Sequence, residues 1–193
     1  MEYIRIARPE DAPAVLDIYG PFVSGSAITF ETEIPSAEVM SQRIGHYLEK
    51  WPWLIYESQG AVAGYAYATH HRERAAYQWC VESSVYVDPG FHGKGIAARL
   101  YQSLFSILQF QGIVHVYAGI TLPNEKSVQF HRKQGFDWIG DYKNIGYKLH
   151  QWHTVSWWQL SLNPCLNPPS QPVAFPAIPP SVIRSMIPET LST

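Results

Sequence analysis

The 193-residue sequence predicts an α/β (α+β) fold in which a mixed, mostly antiparallel central sheet is flanked by helices. The first observation behind this is the order of patterns: one strand, two helices, a run of strands, and then a strand-helix-strand end. The second is an apolar strand at 81–87 that passes through a glycine-rich turn directly into a helix. The third is an apolar content of 46%, which is ordinary for a globular domain with a sizeable core.

Hydrophobic periodicity, together with helix-capping and turn residues, predicts the helices and strands of the first half of the chain. Ser36 is a typical N-cap, and Ser58-Gln59-Gly60 is a typical hairpin turn between two apolar runs. Phe30 falls in an aperiodic stretch that is predicted as a loop at 24–33. The predicted elements are a strand at 3–7, helices at 9–19 and 36–50, and strands at 53–57 and 61–69.

The second half repeats strand and helix more regularly. Gly112 and Gly135 each follow a run of helical spacing and are predicted to end a helix. The predicted elements are a strand at 78–87, a helix at 94–111, a strand at 114–119, a helix at 124–134, and strands at 136–140, 146–148 and 155–162.

Composition divides the chain and excludes several classes of protein. Residues 1–162 are predicted to form one domain, whereas the proline-rich segment 163–193 is predicted as an extended or disordered tail. The tail is either an unselected extension or a proline-rich ligand for a partner. A net charge of −2 gives no general attraction to nucleic acid or membrane, and no apolar run is long enough to span a bilayer. With two cysteines and no visible signal peptide, a cytoplasmic protein is expected.

The glycine turn predicts an anion site. A helix that begins on glycines presents free backbone N–H groups and the positive end of its dipole, which suits a phosphate. The turn lacks the spacing of a P-loop. Gly93-x-Gly95-x-x-Ala98 matches a dinucleotide fingerprint, but the next strand is not followed by the acidic residue that such a site needs. A glycine turn that only begins a helix remains the other interpretation.

Two groups of charged residues are candidates for chemistry. Glu82 lies mid-strand, where burial would raise its pKa and suit it to general-base catalysis, although pairing with a nearby arginine explains it equally well. Arg72 and Arg74 are either a solvated loop or a clamp for an acidic substrate. His70 and His71 lack further ligands at known spacing, so no metal site is predicted.

The start of the predicted helix at 124–134 carries two further candidates. Asn124 is an ordinary N-cap that could also hold the amide-rich arm of a cofactor. His131 lies two turns later on nearly the same face, where it is either packed or able to carry a proton.

The glycine turn, these candidate residues and several longer runs of sequence together resemble the GNAT superfamily of acyl-CoA-dependent N-acetyltransferases, in particular its phosphinothricin N-acetyltransferase branch. The similarity extends from about Ile4 to Leu162. The runs that carry it are Tyr65-Ala66-Tyr67-Ala68, Ala75-Ala76-Tyr77, Val81-Glu82-Ser83-Ser84-Val85-Tyr86-Val87, Leu122-Pro123-Asn124, Gly146-Tyr147-Lys148 and Trp152-His153-Thr154-Val155-Ser156-Trp157-Trp158-Gln159-Leu160.

The resemblance implies the GNAT fold, acetyl-CoA as co-substrate and a role for each candidate. Glu82 would act as the base, Tyr86 would line the site, and His131 would protonate the leaving thiolate. The acidic substrate would meet Phe30, Arg72 and Arg74. The cofactor would meet Val85, Tyr86, Val87, His92, Gly93, Lys94, Gly95, Ile96, Ala97, Ala98, Asn124 and Ser127.

Three residues depart from the family pattern. His92 stands where Gln or Arg is usual, His71 replaces a common aromatic residue, and Glu73 replaces a small one. The last two lie beside the arginine pair, which leaves the identity of the substrate open.

The implied function is acetyl transfer from acetyl-CoA to the amine of a small, amino-acid-like acidic compound such as phosphinothricin. The alternatives are methionine sulfone, methionine sulfoximine or another L-amino acid as acceptor, or a non-catalytic acyl-CoA-binding module. The expected partner is a small-molecule amine, with a homodimer possible and no metal, nucleic acid or membrane. Whether Glu82 or His131 is the main proton-transfer group stays open.

Overall fold

The computed structural model describes residues 1–188, and its centre is one seven-stranded sheet. The strands are β1 (Glu2–Ile6), β2 (Trp53–Ser58), β3 (Ala61–His70), β4 (Cys80–Val87), β5 (His115–Thr121), β6 (Asp137–Lys148) and β7 (Gln151–Ser161). The helices are α1 (Ala12–Gly25), α2 (Ala37–Leu48), α3 (Ile96–Phe110), α4 (Glu125–Lys133) and α5 (Pro180–Met186).

The strand order is β1-β2-β3-β4-β5-β7-β6, and all neighbours within the described residues pair antiparallel except β4 and β5. Alternate strand residues face opposite sides, so two apolar cores form, one on each face. One core contains α3 residues such as Leu104, and the other contains α1 and α2 residues such as Val15 and Ile44. The predicted fold class, a mixed and mostly antiparallel sheet between helices, is confirmed.

The parallel pair β4 and β5 separates partway along its length. Pairing covers only Cys80, Val81 and Glu82 of β4, opposite 115–117 of β5. Beyond Glu82, β4 continues to pair with β3, and β5 continues to pair with β7. An opening therefore lies between Ser83–Val87 and Ala118–Thr121, and the helices that follow these two strands begin at its wide end.

Local signals set most element ends as predicted. The Ser36 side chain accepts a hydrogen bond from the amide of Val39 and caps α2. Gly112 and Gly135 have φ values of +84° and +89°, which is the left-handed conformation that ends α3 and α4. Two elements differ from the prediction, because tertiary packing outweighs the local effect of proline and glycine. Helix α1 runs through Pro21 to Gly25. The predicted strands 136–140 and 146–148 are parts of one irregular strand, β6.

The proline-rich segment differs from the predicted extended or disordered tail over its described residues. It contains α5, and Phe175, Ile178 and Ile187 are buried in the core beneath α3. The amide of Gln111 donates to the carbonyl oxygens of Lys50 and Val173 and so joins this segment to the domain. The proline-rich composition of this segment led to the wrong expectation of disorder. Proline fixes the backbone, but it does not prevent the apolar side chains that lie between the prolines from packing against the domain. Residues 189–193 lie outside the described part, and a domain boundary at 162 stays a prediction.

Candidate active site

The main chain of β4 directs unpaired groups into the opening beside β5. The carbonyl oxygen of Trp79 accepts from the amide of Val114, 2.8 Å away, so this residue faces β5. The amide of Asp88 donates to Ala63 at the start of β3. Because backbone groups alternate along a strand, Val85 and Val87 turn their amides and carbonyls into the opening. The imidazole Nε2 of His92 lies 3.0 Å from the carbonyl oxygen of Val87.

The N-terminus of α3 forms the second part of the site. Gly93 and Gly95 have φ values of +79° and +76°, a conformation that favours glycine, and no atom lies within 4 Å of a Cβ built at either position. No side chain caps the helix, so its first amides, at Ile96, Ala97 and Ala98, stay free in this turn. Lys94 is exposed, with its Nζ 4.7 Å from the Phe91 ring centre. These features suit a phosphate group.

Glu82 lies where β4 and β5 separate, since its partner Tyr117 is the last paired residue of β5 in that ladder. Its side chain is 34% exposed, and its Oε1 lies 3.0 Å from Nδ1 of His71. Burial raises the pKa of Glu82 to about 7, and the positive charge of Arg72 works against this rise. The carboxyl group therefore changes its protonation near neutral pH. Its contact partner is a histidine rather than the arginine considered from the sequence.

His71 is the functional candidate that sequence reasoning missed. Its ring stacks on Tyr117 with centroids 4.3 Å apart and meets the edge of Trp157 at 5.9 Å. Burial, reinforced by Arg72, lowers the pKa of His71. The available signal was strand register: Glu82 pairs with Thr69, and His71, two residues further and just beyond the end of β3, is its diagonal neighbour on the same face.

His131 lies in the core rather than beside Glu82. Its Nδ1 is 2.8 Å from the carbonyl oxygen of Ser127, and its Nε2 is 3.3 Å from the hydroxyl of Tyr101. The first contact fixes Nδ1 as the donor, so Nε2 accepts from the tyrosine. Burial lowers the pKa of His131, with the Ser127 contact opposing it. The described contacts place His131 among α3 and α4 side chains, so a proton-transfer role for it stays a prediction.

Tyr86 lies on the same side of β4 as Glu82 but packs among aromatic rings. Its ring centre is 5.2 Å from that of Tyr19 and 5.3 Å from those of Phe22 and Tyr65. Burial raises its pKa well above the ordinary value, so Tyr86 stays a neutral phenol.

Asn124 serves as the N-cap of α4. Its Oδ1 accepts from the amide of Ser127 at 3.2 Å, and the Ser127 hydroxyl lies 3.3 Å from Nδ1 of His131. The capping interpretation is thus confirmed. A contact of Asn124 or Ser127 with a cofactor stays a prediction.

Phe30 forms a wall of a cavity of about 250 Å³ on the Trp157 side of β5. Nζ of Lys148 donates to the carbonyl oxygen of Thr29 at 2.8 Å and holds the Phe30 loop against β6. The cavity is lined by Ile28, Phe30, Gly119, Thr121, Tyr142, Ile145, Val155 and Trp157. A second cavity, of about 150 Å³, is lined by His71, Tyr117, Ile139, Gly140, Tyr142 and Trp157.

Arg72 and Arg74 are both exposed on the segment after β3. The charge of Arg72 acts on Glu82 and His71, which places it at the edge of the site, whereas Arg74 caps a short 3₁₀ turn at Ala75–Tyr77 without a side-chain bond. Within residues 1–188, no three His, Cys, Asp or Glu side chains form a group that could hold a metal ion. Among the helices of the same range, none has the length and hydropathy of a membrane span.

Comparison with known proteins agrees with this architecture. The family described as acetyltransferase (GNAT) domain matches residues 4–157. The chain is 36% identical over 170 residues to the phosphinothricin N-acetyltransferase of Streptomyces viridochromogenes, which covers 88% of this chain and 92% of the relative. It is 32% identical over 168 residues to an L-methionine sulfoximine/L-methionine sulfone acetyltransferase of Pseudomonas paraeruginosa, with 86% and 98% covered.

A solved structure gives the same result. The crystal structure of a GNAT superfamily phosphinothricin acetyltransferase from Sinorhizobium meliloti, in complex with AcCoA, matches with a TM-score of 0.82 at 29% identity. The match covers 91% of this chain and 96% of the other. The predicted resemblance is confirmed, and the chain belongs to the GNAT acetyltransferase family.

Proposed function

We propose that this acetyltransferase moves an acetyl group from acetyl-CoA to the α-amine of a small, amino-acid-like acidic compound such as phosphinothricin. The observation that carries the proposal is the position of Glu82, a carboxyl group with a pKa of about 7, at the closed end of the opening between β4 and β5. A base with that pKa can accept a proton from an ammonium group near neutral pH. The phosphinothricin acetyltransferases named above support the acceptor.

The proposed mechanism is direct transfer. Glu82 removes a proton from the bound ammonium group, and the amine nitrogen attacks the thioester carbonyl carbon. The main-chain amides of Val85 and Val87 would stabilise the charge that develops on the carbonyl oxygen. The C–S bond then breaks, and the thiolate takes up a proton, for which the imidazolium form of His131 is the proposed donor. Cys80 is half-buried and burial raises the pKa of its thiol, which disfavours it as a nucleophile.

Cofactor binding is assigned mainly to the main chain. We place the pyrophosphate at the amides of 93–98, with Lys94 and His92 at the rim and the pantetheine along Val85–Val87. Asn124 and Ser127 would meet the cofactor near its reactive end, Tyr86 would line the site, and Phe30, Arg72 and Arg74 would meet the acceptor. The free helix amides and the open space in front of Gly93 and Gly95 support this assignment.

Gly95 provides a test of the cofactor site. Replacing it by Asp is expected to raise the Kd for acetyl-CoA roughly tenfold or more, because a carboxylate would stand where the pyrophosphate binds. Gly95→Asn is the matched control, since it has nearly the same size and also tolerates a positive φ. Isothermal titration calorimetry measures both variants. Equal affinities for acetyl-CoA in the two variants would show that the pyrophosphate does not bind at this turn.

A second acceptor class is favoured by the larger cavity. None of the eight residues that line it is charged, and five of them are aliphatic or aromatic apolar side chains. An apolar wall suits a neutral side chain better than an acidic one. Methionine sulfone and methionine sulfoximine, after which the Pseudomonas paraeruginosa relative is named, are therefore the second candidates.

The experiment that tests the function is thiol release from acetyl-CoA across a panel of acceptors. The panel contains phosphinothricin, methionine sulfone, methionine sulfoximine and the common L-amino acids. The highest kcat/KM is expected for phosphinothricin, and a preference for the two methionine compounds would select the second candidate. Acetyl-CoA binding without turnover on any amine would instead indicate the non-catalytic binding module.

Location and assembly are also proposals. We assign the reaction to residues 1–162, in the cytoplasm, where acetyl-CoA is available. The homodimer would use the edge strand β6, its turn and the start of β7, where large apolar side chains outside the two cavities face solvent. They are Trp138, Tyr147, Leu149 and Trp152. Size-exclusion chromatography with light scattering measures the oligomeric state.

A further inference from the structure

We propose that His71 is a positioning residue for Glu82: its ring orients the carboxylate, and its Nδ1–H group stabilises the ionised form that removes the proton from the amine. This inference rests on the proposed function, in which Glu82 is the base. It assigns the base to a histidine–glutamate pair rather than to a carboxylate alone.

The first observation behind the proposal is the contact between the side chains of His71 and Glu82. Nδ1 of His71 lies 3.0 Å from Oε1 of Glu82, which is the usual length of an N–H···O hydrogen bond. With a neutral ring and an ionised carboxylate, Nδ1–H donates to Oε1. Since this bond occupies one oxygen, Oε2 remains available to the amine.

The ring of His71 is itself held in place, so the bond has a fixed direction. It stacks on Tyr117 at an interplanar angle of 20°, and the rings of Trp157 and Tyr77 approach it edge-on. Its side chain is only 16% exposed. A ring fixed on several sides holds the carboxylate more firmly than a mobile surface side chain could.

The groups around the pair act on the charge of Glu82. His71 lines the cavity of about 150 Å³, which shares Tyr142 and Trp157 with the larger cavity. The titratable and charged groups around the pair are Arg72 from its own loop, Tyr77 from the following turn, Cys80 from β4, Tyr117 from β5 and Tyr142 from β6. Arg72 is the one fixed cation in this set, and it favours the ionised form of Glu82.

The proton balance gives the pair a defined purpose. Forming an amide from an ammonium group releases two protons from nitrogen. One proton is used by the CoA thiolate, and the other leaves through the base. At lower pH a carboxylate alone would be neutralised by solvent protons. The Nδ1–H group of a neutral imidazole stabilises the charged carboxylate, so the carboxylate stays ionised to a lower pH than it would without this hydrogen bond.

The test is the pH dependence of kcat/KM in two variants of His71. His71→Asn keeps a hydrogen-bond donor near Nδ1 but cannot be protonated, and His71→Phe keeps only the stacked ring. The acidic limb of the profile is expected to move to higher pH in both variants, by about one pH unit or more for His71→Phe and by less for His71→Asn. Activity at pH 8.5 should change much less than activity at pH 6.

His46→Asn is the matched control. His46 also pairs with a glutamate, Glu49, at 3.6 Å, but both side chains are more than 60% exposed, so its profile should equal that of the unmodified protein. Profiles of the His71 variants that overlay the unmodified one would overturn the proposal. His71→Asn also carries the test if His71→Phe does not fold.

A titration of labelled histidine by NMR reads the pair without any turnover. The ring signal of His71 is assigned by its loss in His71→Asn. It should titrate at a lower pH in Glu82→Gln than in the unmodified protein, because the carboxylate no longer stabilises the imidazolium. Equal midpoints would refute the pair, whereas failure of every amine acceptor would refute only the proposed function.

Discussion

Replacing Glu82 by Gln is expected to lower kcat/KM at pH 8 by about 10²- to 10⁴-fold, the usual contribution of a positioned general base. The amide keeps the size of the side chain and a hydrogen-bonding group toward His71, so the fold and the Kd for acetyl-CoA should be unchanged. Steady-state kinetics of thiol release, together with calorimetric binding of acetyl-CoA, separates the chemical step from cofactor binding.

The pH profile sharpens this expectation. With its pKa raised to about 7, Glu82 is protonated and inactive below pH 7 and becomes an active base as the pH rises through that value. The unmodified enzyme should therefore lose activity on the acid side of pH 7, and the remaining activity of Glu82→Gln should lack this limb. Glu73→Gln removes the same charge from an exposed position nearby and should leave the profile unchanged. Full activity of Glu82→Gln at pH 8 would assign the base elsewhere.

Replacing Phe175 by Ala is expected to lower the free energy of unfolding by about 3 kcal/mol, the lower end of the range for a buried phenylalanine. Phe175 is 6% exposed and joins the core beneath α3, while its amide donates to the carbonyl oxygen of Lys50 at 3.1 Å. The cost comes from the lost apolar burial and from the cavity left between the segment and the domain. Urea denaturation should show a lower midpoint with an unchanged slope.

Leu166→Ala is the control for this measurement. Leu166 belongs to the same proline-rich segment but is 60% exposed, so its loss should change stability by less than about 0.5 kcal/mol. An unchanged midpoint in Phe175→Ala would show that the segment unfolds separately from the sheet.

Much of the fold was predictable because its signals are local. The Ser36 cap, the turn at 58–60 and the glycines that end α3 and α4 each act within a few residues, so sequence pattern finds them. The glycine turn before α3 was identified for the same reason. A one-turn helix end or a hairpin needs no knowledge of distant partners.

The rest depended on contacts between distant parts of the chain. Separation of β4 from β5 follows from which neighbours each strand pairs with, and no local pattern encodes that. His71 and Glu82 are eleven residues apart and meet only through the β3–β4 register. The sequence predicts that His131 lies in a helix. The direction in which its ring is buried depends on a contact with Tyr101 of another helix, which the sequence does not show.

The opening between β4 and β5 has a consequence for how this enzyme could be redesigned. The donor substrate is assigned to main-chain amides, which every residue other than proline provides, whereas the acceptor cavity is built from residues on a loop and on the three strands β5, β6 and β7. Substitutions that reshape the acceptor cavity should therefore leave the KM for acetyl-CoA nearly constant. A library confined to Ile28, Tyr142 and Ile145 could thus explore new amines without rebuilding the donor site.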